Sequence, residues 1–139
     1  MLSQLAIGSV LVVLTVLVHG VSLDIIIRAF RAVRMETLSQ WKSLSFSLVV
    51  LAIFSAHVIE IWIWAVFYFF IEEFSTFEAA LYFSTSSFTT VGFGDLTLSE
   101  EWRLLSSLES ANGMILFGWS TAFIFEIVRR IYEHLHQPG

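Results

Sequence analysis

The sequence predicts an all-α membrane protein with three transmembrane helices and one short re-entrant helix. Hydrophobic residues make up 57% of the 139 residues and charged ones only 14%, against ~25% charged in soluble domains. Mean hydropathy is +0.81. Three stretches, Leu5 to Ile27, Leu44 to Ile71 and Leu104 to Val128, each supply the roughly 20 mostly apolar residues that cross a bilayer. A fourth, Phe77 to Phe88, is too short to cross and fits a helix that enters the membrane and returns, enclosed by protein.

The first stretch has no basic segment before it; Arg28, Arg31 and Arg34 follow it instead, so it reads as a retained helix and not as a cleaved leader. Basic residues also set the topology. Arg28, Arg31, Arg34 and Lys42 lie between the first and second spans, and Arg129 and Arg130 follow the third. The positive-inside rule then makes the 28–43 connection and the C-terminus cytoplasmic and the N-terminus external. Ser75-Thr76-Phe77-Glu78 matches a capping box, with Ser75 as N-cap and Glu78 reaching back to it, so the short helix is expected to start there and end near Phe88. Cysteine is absent, which removes disulfides and thiol redox control from the chain. A net charge of −5 argues against nucleic acid as a partner.

Residues 89 to 95 read Thr-Thr-Val-Gly-Phe-Gly-Asp, between the short helix and the third span. A cation that sheds its water needs oxygens in place of it, and a row of inward-pointing backbone carbonyls supplies them. Such a row needs residues that adopt positive φ, and Gly92 and Gly94 do so at little steric cost. Val91 and Phe93 between them are free to turn outward into packing. Thr90 adds a hydroxyl at the inner end, and Asp95 places a carboxylate just beyond the row. The plain alternative is a glycine-rich turn in a transmembrane hairpin.

The run Thr85-Ser86-Ser87-Phe88-Thr89-Thr90-Val91-Gly92-Phe93-Gly94-Asp95 resembles the pore loop of the potassium channel family, and the helices around it extend the resemblance to roughly residues 44 to 130. The resemblance implies that Thr90, Val91, Gly92 and Phe93 coordinate potassium, with Gly94, Asp95, Ser86 and Tyr82 supporting the filter. It also implies passive conduction of K+ by a homotetramer, since one loop per chain supplies a quarter of a filter. No enzymatic activity and no cofactor are expected; the partners are K+, the lipid bilayer of the plasma membrane and other copies of the chain. The chain then divides into an extra N-terminal helix and amphipathic connection (1–43), a pore domain (44–130) and a short cytoplasmic tail (131–139) too small to carry a sensing domain.

Three features depart from the family pattern. Phe93 stands where tyrosine is usual, and Tyr82 and Phe83 stand where many members carry tryptophans. Ser86 also replaces a glutamate that in some members bridges to the aspartate after the filter. The filter is therefore expected to be held more by packing than by hydrogen bonds, and to inactivate in low potassium. A weakly selective monovalent cation channel is one alternative; a subunit of a potassium transporter is another, although such loops usually carry one glycine and occur four to a chain.

In the third span, Gly113 resembles a hinge glycine, with Gly118 its competitor as hinge; a close-packing position between helices is the other reading of Gly113. Phe117 and Thr121 follow Gly113 at i+4 and i+8 and are expected to line the cavity with it, while Phe125 is a candidate constriction. Arg28, Arg31 and Arg34 recur every third residue as in a voltage-sensing helix, but they lie past the apolar stretch. With Phe30, Val33, Leu38 and Trp41 interspersed, residues 28–42 read as an interfacial amphipathic segment.

Ionisable groups inside spans are costly and mark candidate function. His19 and Asp24 occupy the first span, His57 and Glu60 the second, Glu109 the third. Glu60 is expected roughly 16 Å below the outer end of its helix and Glu109 roughly 10 to 12 Å below its own, so His57, Glu60 and Glu109 form a candidate pH-sensitive cluster with Asn112 nearby. Polar attachment between helices and a metal site on His57 and Glu60, short of a third ligand, are the other readings. His134 and His136 read as solvated tail residues.

Overall fold

In a computed structural model, described for residues 2–32 and 41–135, the chain forms four helices and, among the described residues, no strand. They are α1 (Leu2–Ala32), α2 (Lys42–Phe70), α3 (Phe77–Phe88) and α4 (Leu104–Leu135). Helices α1, α2 and α4 are long and apolar enough to cross a membrane. This is the all-α membrane architecture the hydropathy implies. Residues Val33, Arg34, Leu38 and His136 lie outside the described residues, as do the side chains of Lys42 and His134.

Helix α1 buries one stripe, Gly8, Leu11, Thr15, His19 and Leu23, at spacings of three and four. Its other faces carry Val10, Val13, Leu17, Val21 and Ile25, all exposed on the protein surface. An apolar outer face is the arrangement suited to lipid, and it leaves the two faces of α1 nearly equal in hydrophobicity. The buried stripe is therefore marked by small and polar residues. It packs on both α2 and α4. Arg28 and Arg31 continue α1 as helix, so the residues from 28 to 32 are not a separate in-plane segment. Arg28 pairs with Asp24 across one turn at 2.7 Å.

Helix α2 ends with Glu72 at φ 60, whose amide reaches Phe69 O (3.2 Å) while that of Glu73 reaches Tyr68 O (3.2 Å). That closes the last carbonyls of α2 with a residue other than the usual glycine in the left-handed position. Helix α3 starts one residue later than the sequence suggests: Thr76, at φ −133, is the N-cap and accepts from Ala79 N at 3.2 Å. With Thr76 as cap, the third helical position is Ala79, so Glu78 cannot complete the capping box.

Helix α3 buries Ala80, Phe83, Ser84, Ser87 and Phe88, the i, i+3, i+4 pattern of one helical face. That face is wedged between α2 and α4, on the far side from α1. The core around it is aromatic: Trp64, Tyr68, Phe74, Phe83 and Phe88 are all buried, with Tyr68 meeting Phe83 edge-on at 5.3 Å. Helix α4 buries Leu105, Glu109, Asn112, Gly113, Leu116, Ser120 and Ile127 along one side. It also runs past the apolar span to Leu135, carried by pairs of Glu126 with Arg129 and Arg130 and of Arg129 with Glu133.

Candidate functional site

The loop after α3 leaves the helix by a tightened last turn, with Thr90 N bonded to Ser87 O at 3.0 Å and Thr89 Oγ1 to Thr85 O at 2.7 Å. Positive φ then falls on every second residue: Thr90 at 63, Gly92 at 57 and Gly94 at 79. Glycine accepts this conformation freely, but threonine does so at a cost of about 1–2 kcal/mol. A backbone that changes hand at alternate residues turns successive carbonyls towards the same side. Thr90 is the residue whose strain the sequence did not announce.

Two backbone amides of the loop hang on one serine. Gly92 N donates to Ser86 O at 3.2 Å and Phe93 N to Ser86 Oγ at 3.3 Å. Tyr82, one turn earlier on α3, donates its hydroxyl to Asp95 Oδ2 at 2.9 Å and stacks its ring on Phe93 at 6.3 Å and 11°. This hydrogen bond holds the Tyr82 phenol above its ordinary range, since ionisation would set it against the carboxylate. The expectation of a loop held chiefly by packing is thus corrected: Tyr82 supplies a side-chain tie to Asp95, and Ser86 reaches the loop backbone.

A family model described as "Ion channel" matches residues 56–130, more than half of the chain. The chain belongs to the ion channel family. No curated protein and no solved structure matches it. The matched stretch takes in the second half of α2, all of α3, the loop and the α4 span, so the loop sits in the middle of the region that defines the family.

Behind the loop, a buried polar cluster ties α3 to the helices on either side. Glu109 accepts from Tyr68 Oη at 2.8 Å and lies 2.5 Å from Ser84 Oγ, which is also 2.9 Å from Ile61 O. Ser110 Oγ donates to Ser87 O at 2.7 Å. Glu109 therefore does not join His57 and Glu60 as the sequence suggests; it serves the short helix. The partner of His57 and Glu60 is His19 of α1, whose Nδ1 lies 2.8 Å from Glu60 Oε1. Asn112 also turns to α1, donating to Thr15 Oγ1 at 2.7 Å.

Residues of α4 separate into two groups. Gly113 is buried, and a Cβ there would run into the carbonyl oxygen of Phe88 at the end of α3. It is a close-packing position under the loop, and the open face expected around it belongs to its neighbours. Phe117 is half-buried, edge-on to His57 at 4.7 Å and to Phe88 at 5.5 Å. Thr121 and Phe125 stand on the exposed face together with Met114, and Phe125 is 68% exposed. A Cβ at Gly118 would meet nothing within 4 Å.

The acidic residues around the loop also differ in their engagement. Glu73 braces the segment after the loop, accepting from Ser99 N and Ser99 Oγ at 2.7 Å each. Asp95 is held by Tyr82. Glu72, Glu78, Glu100 and Glu101 are exposed.

Proposed function

We propose that the chain is one subunit of a homotetrameric, potassium-selective channel that conducts passively through the plasma membrane. The observation that carries this reading is the left-handed backbone at alternate residues of the Thr-Val-Gly-Phe-Gly run. Thr90, Val91, Gly92 and Phe93 each offer a backbone carbonyl, and Thr90 offers its hydroxyl below them. Four such rows around an axis make stacked rings of oxygens that replace the hydration shell of K+. The ion is cargo, and the work is desolvation by fixed dipoles, so no enzyme chemistry or cofactor enters. The carbonyl end of α3 adds a partial negative charge on the same side.

A fourfold assembly is supported by what one chain leaves uncovered. Val91 is 55% exposed and Phe93 69%, and an open cleft of about 730 Å³ runs from Ser86 and Gly92 to Ser107 and Met114. Neighbouring copies of the loop and of α4 would fill it. Residues 44–130 then form the pore domain, with 1–43 an additional segment on its outside and 131–139 a tail. Met114, Thr121 and Phe125 face the axis in this arrangement, and a ring of Phe125 side chains near the inner mouth gates by excluding water.

Orientation follows from charge. The arginines at the ends of α1 and α4 mark the cytoplasmic side, which puts the N-terminus and the loop outside. Glu72, Glu78, Glu100 and Glu101 then raise the cation concentration at the outer mouth. Potassium efflux from loaded liposomes tests the reading: the wild type is expected to pass K+, and Gly92→Ala, which places a side chain on a backbone at φ 57, to pass none. Equal efflux through both would contradict it.

A further inference from the structure

Away from the loop, three helices meet at a closed ring of four polar side chains. Glu60 Oε1 lies 2.8 Å from His19 Nδ1, and Glu60 Oε2 lies 2.8 Å from His57 Nδ1. On the opposite side, Ser120 Oγ lies 2.9 Å from His57 Nε2 and 3.3 Å from His19 Nε2. The two imidazoles stack at 5.2 Å. All four residues are buried, His19 and Glu60 completely.

Counting hydrogens decides what the ring holds. Four hydrogen bonds need four hydrogens. A carboxylate, two neutral imidazoles and a hydroxyl bring three. With both Nδ1–H groups donating to Glu60, both Nε2 atoms turn lone pairs on Ser120, which has one hydrogen to give. One contact is then lone pair against lone pair, and a net negative charge remains buried inside a membrane span, where charge is costly. One further proton mends both faults: every contact becomes donor to acceptor, and the net charge becomes zero. That proton resides on an imidazole or on the carboxyl group, two tautomers of the same ring.

A divalent cation fits less well. Tetrahedral ligands at ~2.0–2.1 Å from a metal stand roughly 3.3 Å apart, whereas nitrogen and oxygen here are 2.8 Å apart at both contacts. This is hydrogen-bond spacing.

We propose that Glu60, His57, Ser120 and His19 form a membrane-buried proton-binding site that clamps α1 to α2 and α4. Its ligand is a proton, and its occupancy sets how firmly the N-terminal helix is held. When the proton leaves as pH rises, the ring loses one of its four bonds and gains a buried charge, and α1 is held less firmly, by what remains of the ring, by Asn112 to Thr15 and by packing. Ser120 lies one turn from Phe117, whose ring rests on His57, so the clamp bears directly on α4. The inference does not depend on which ion the channel selects.

Among the described residues, the titratable groups that these helices carry near the ring are exposed or bound to other partners. On α1, Asp24 is exposed and paired with Arg28. On α2, Tyr68 donates to Glu109 of α4. On α3, Glu78 is exposed and Tyr82 is bound to Asp95; what α3 brings to the ring is the apolar face of Phe88, 6.0 Å from His57. On α4, Glu126, Arg129, Arg130 and Glu133 pair among themselves.

The test is a titration of the full chain in bilayers from about pH 5 to 9, the range in which histidine charge changes. Imidazole nitrogen resonances and the carboxyl infrared band are followed together with the melting temperature. The same is done for Glu60→Gln, which keeps the shape of the ring without a charge to neutralise. In the wild type, His19 and His57 are expected to shift in one shared step, with the melting temperature falling across it; in Glu60→Gln both the step and its fall are lost. Constant resonances, two independent histidine titrations, or the same pH dependence of melting in both proteins would overturn the proposal. The wild-type titration decides by itself if the variant does not fold.

Discussion

Replacing Gly113 by alanine separates a packing role from a hinge role. The added methyl carbon would overlap the carbonyl oxygen of Phe88, and Phe88 C and Cδ1 stand close behind it. To reach the ordinary carbon-to-oxygen separation of ~3.3 Å, α4 and the end of α3 must part by on the order of 1 Å. Overpacking of this kind costs about 1–3 kcal/mol, and the gain from replacing a helical glycine returns about 0.5–1 kcal/mol. A net loss of about 1–2 kcal/mol corresponds to a fall in melting temperature of roughly 3–10 °C for a domain of this size. Because Phe88 is the last residue of α3, the same displacement moves the base of the loop, and potassium flux is expected to fall with stability. Gly118→Ala is the control, since nothing lies within 4 Å of a Cβ there; it is expected to melt at the same temperature or slightly higher. Melting of the two variants in detergent, with flux in liposomes, is the assay. A Gly113→Ala protein that melts like the wild type, or a Gly118→Ala protein that loses as much, would refute the reasoning.

Ser84→Ala leaves the buried Glu109 with Tyr68 as its one hydrogen-bond partner, a loss of about 1–3 kcal/mol; a double-mutant cycle with Tyr68→Phe is expected to be non-additive, and simple additivity would contradict a shared cluster. Tyr82→Phe removes the bond to Asp95 and is expected to hasten inactivation in low potassium, measured as current decay. In the wild type, the raised Tyr82 phenol keeps this tie intact below its ordinary value of about 10 and releases it only as pH climbs through the higher value in the folded protein, so decay should be insensitive to this group at neutral pH. Thr90→Gly relieves the strain of a threonine at φ 63, worth about 1–2 kcal/mol, while removing the hydroxyl; melting should not fall, but potassium preference measured by reversal potential should.

Hydropathy and spacing made the helices legible because lipid demands long apolar runs and α3 repeats its buried face at i, i+3 and i+4. The end of α4 was not legible that way: Arg129 and Arg130 close the apolar run, yet their pairs with Glu126 and Glu133 carry the helix to Leu135. The cap of α3 falls on Thr76 and not on Ser75, because both are competent caps and the choice rests on the backbone angle at Thr76.

For the polar clusters, depth alone was a poor guide. Glu109, Asn112 and Ser120 share one buried stripe of α4, but each meets a different partner: Tyr68 and Ser84, then Thr15, then the two histidines. Depth along the spans places Glu109 near Glu60, whereas the rotation of α4 aims it at Ser84 of α3. His19 was visible as a costly group in a span, but its partner lies 41 residues away, and Ser120 carries no sequence signal at all. In the loop, Gly92 and Gly94 announce their backbone; Thr90 takes the same conformation because the alternation requires it, and its side chain gives no sign of it.

The central claim is a potassium-selective path through the loop at residues 90–93. It is tested most directly by the reversal potential of the reconstituted chain in a planar bilayer, with potassium on one side and sodium on the other. A value close to the potassium equilibrium potential is the result expected. A clear current that reverses near zero would contradict it.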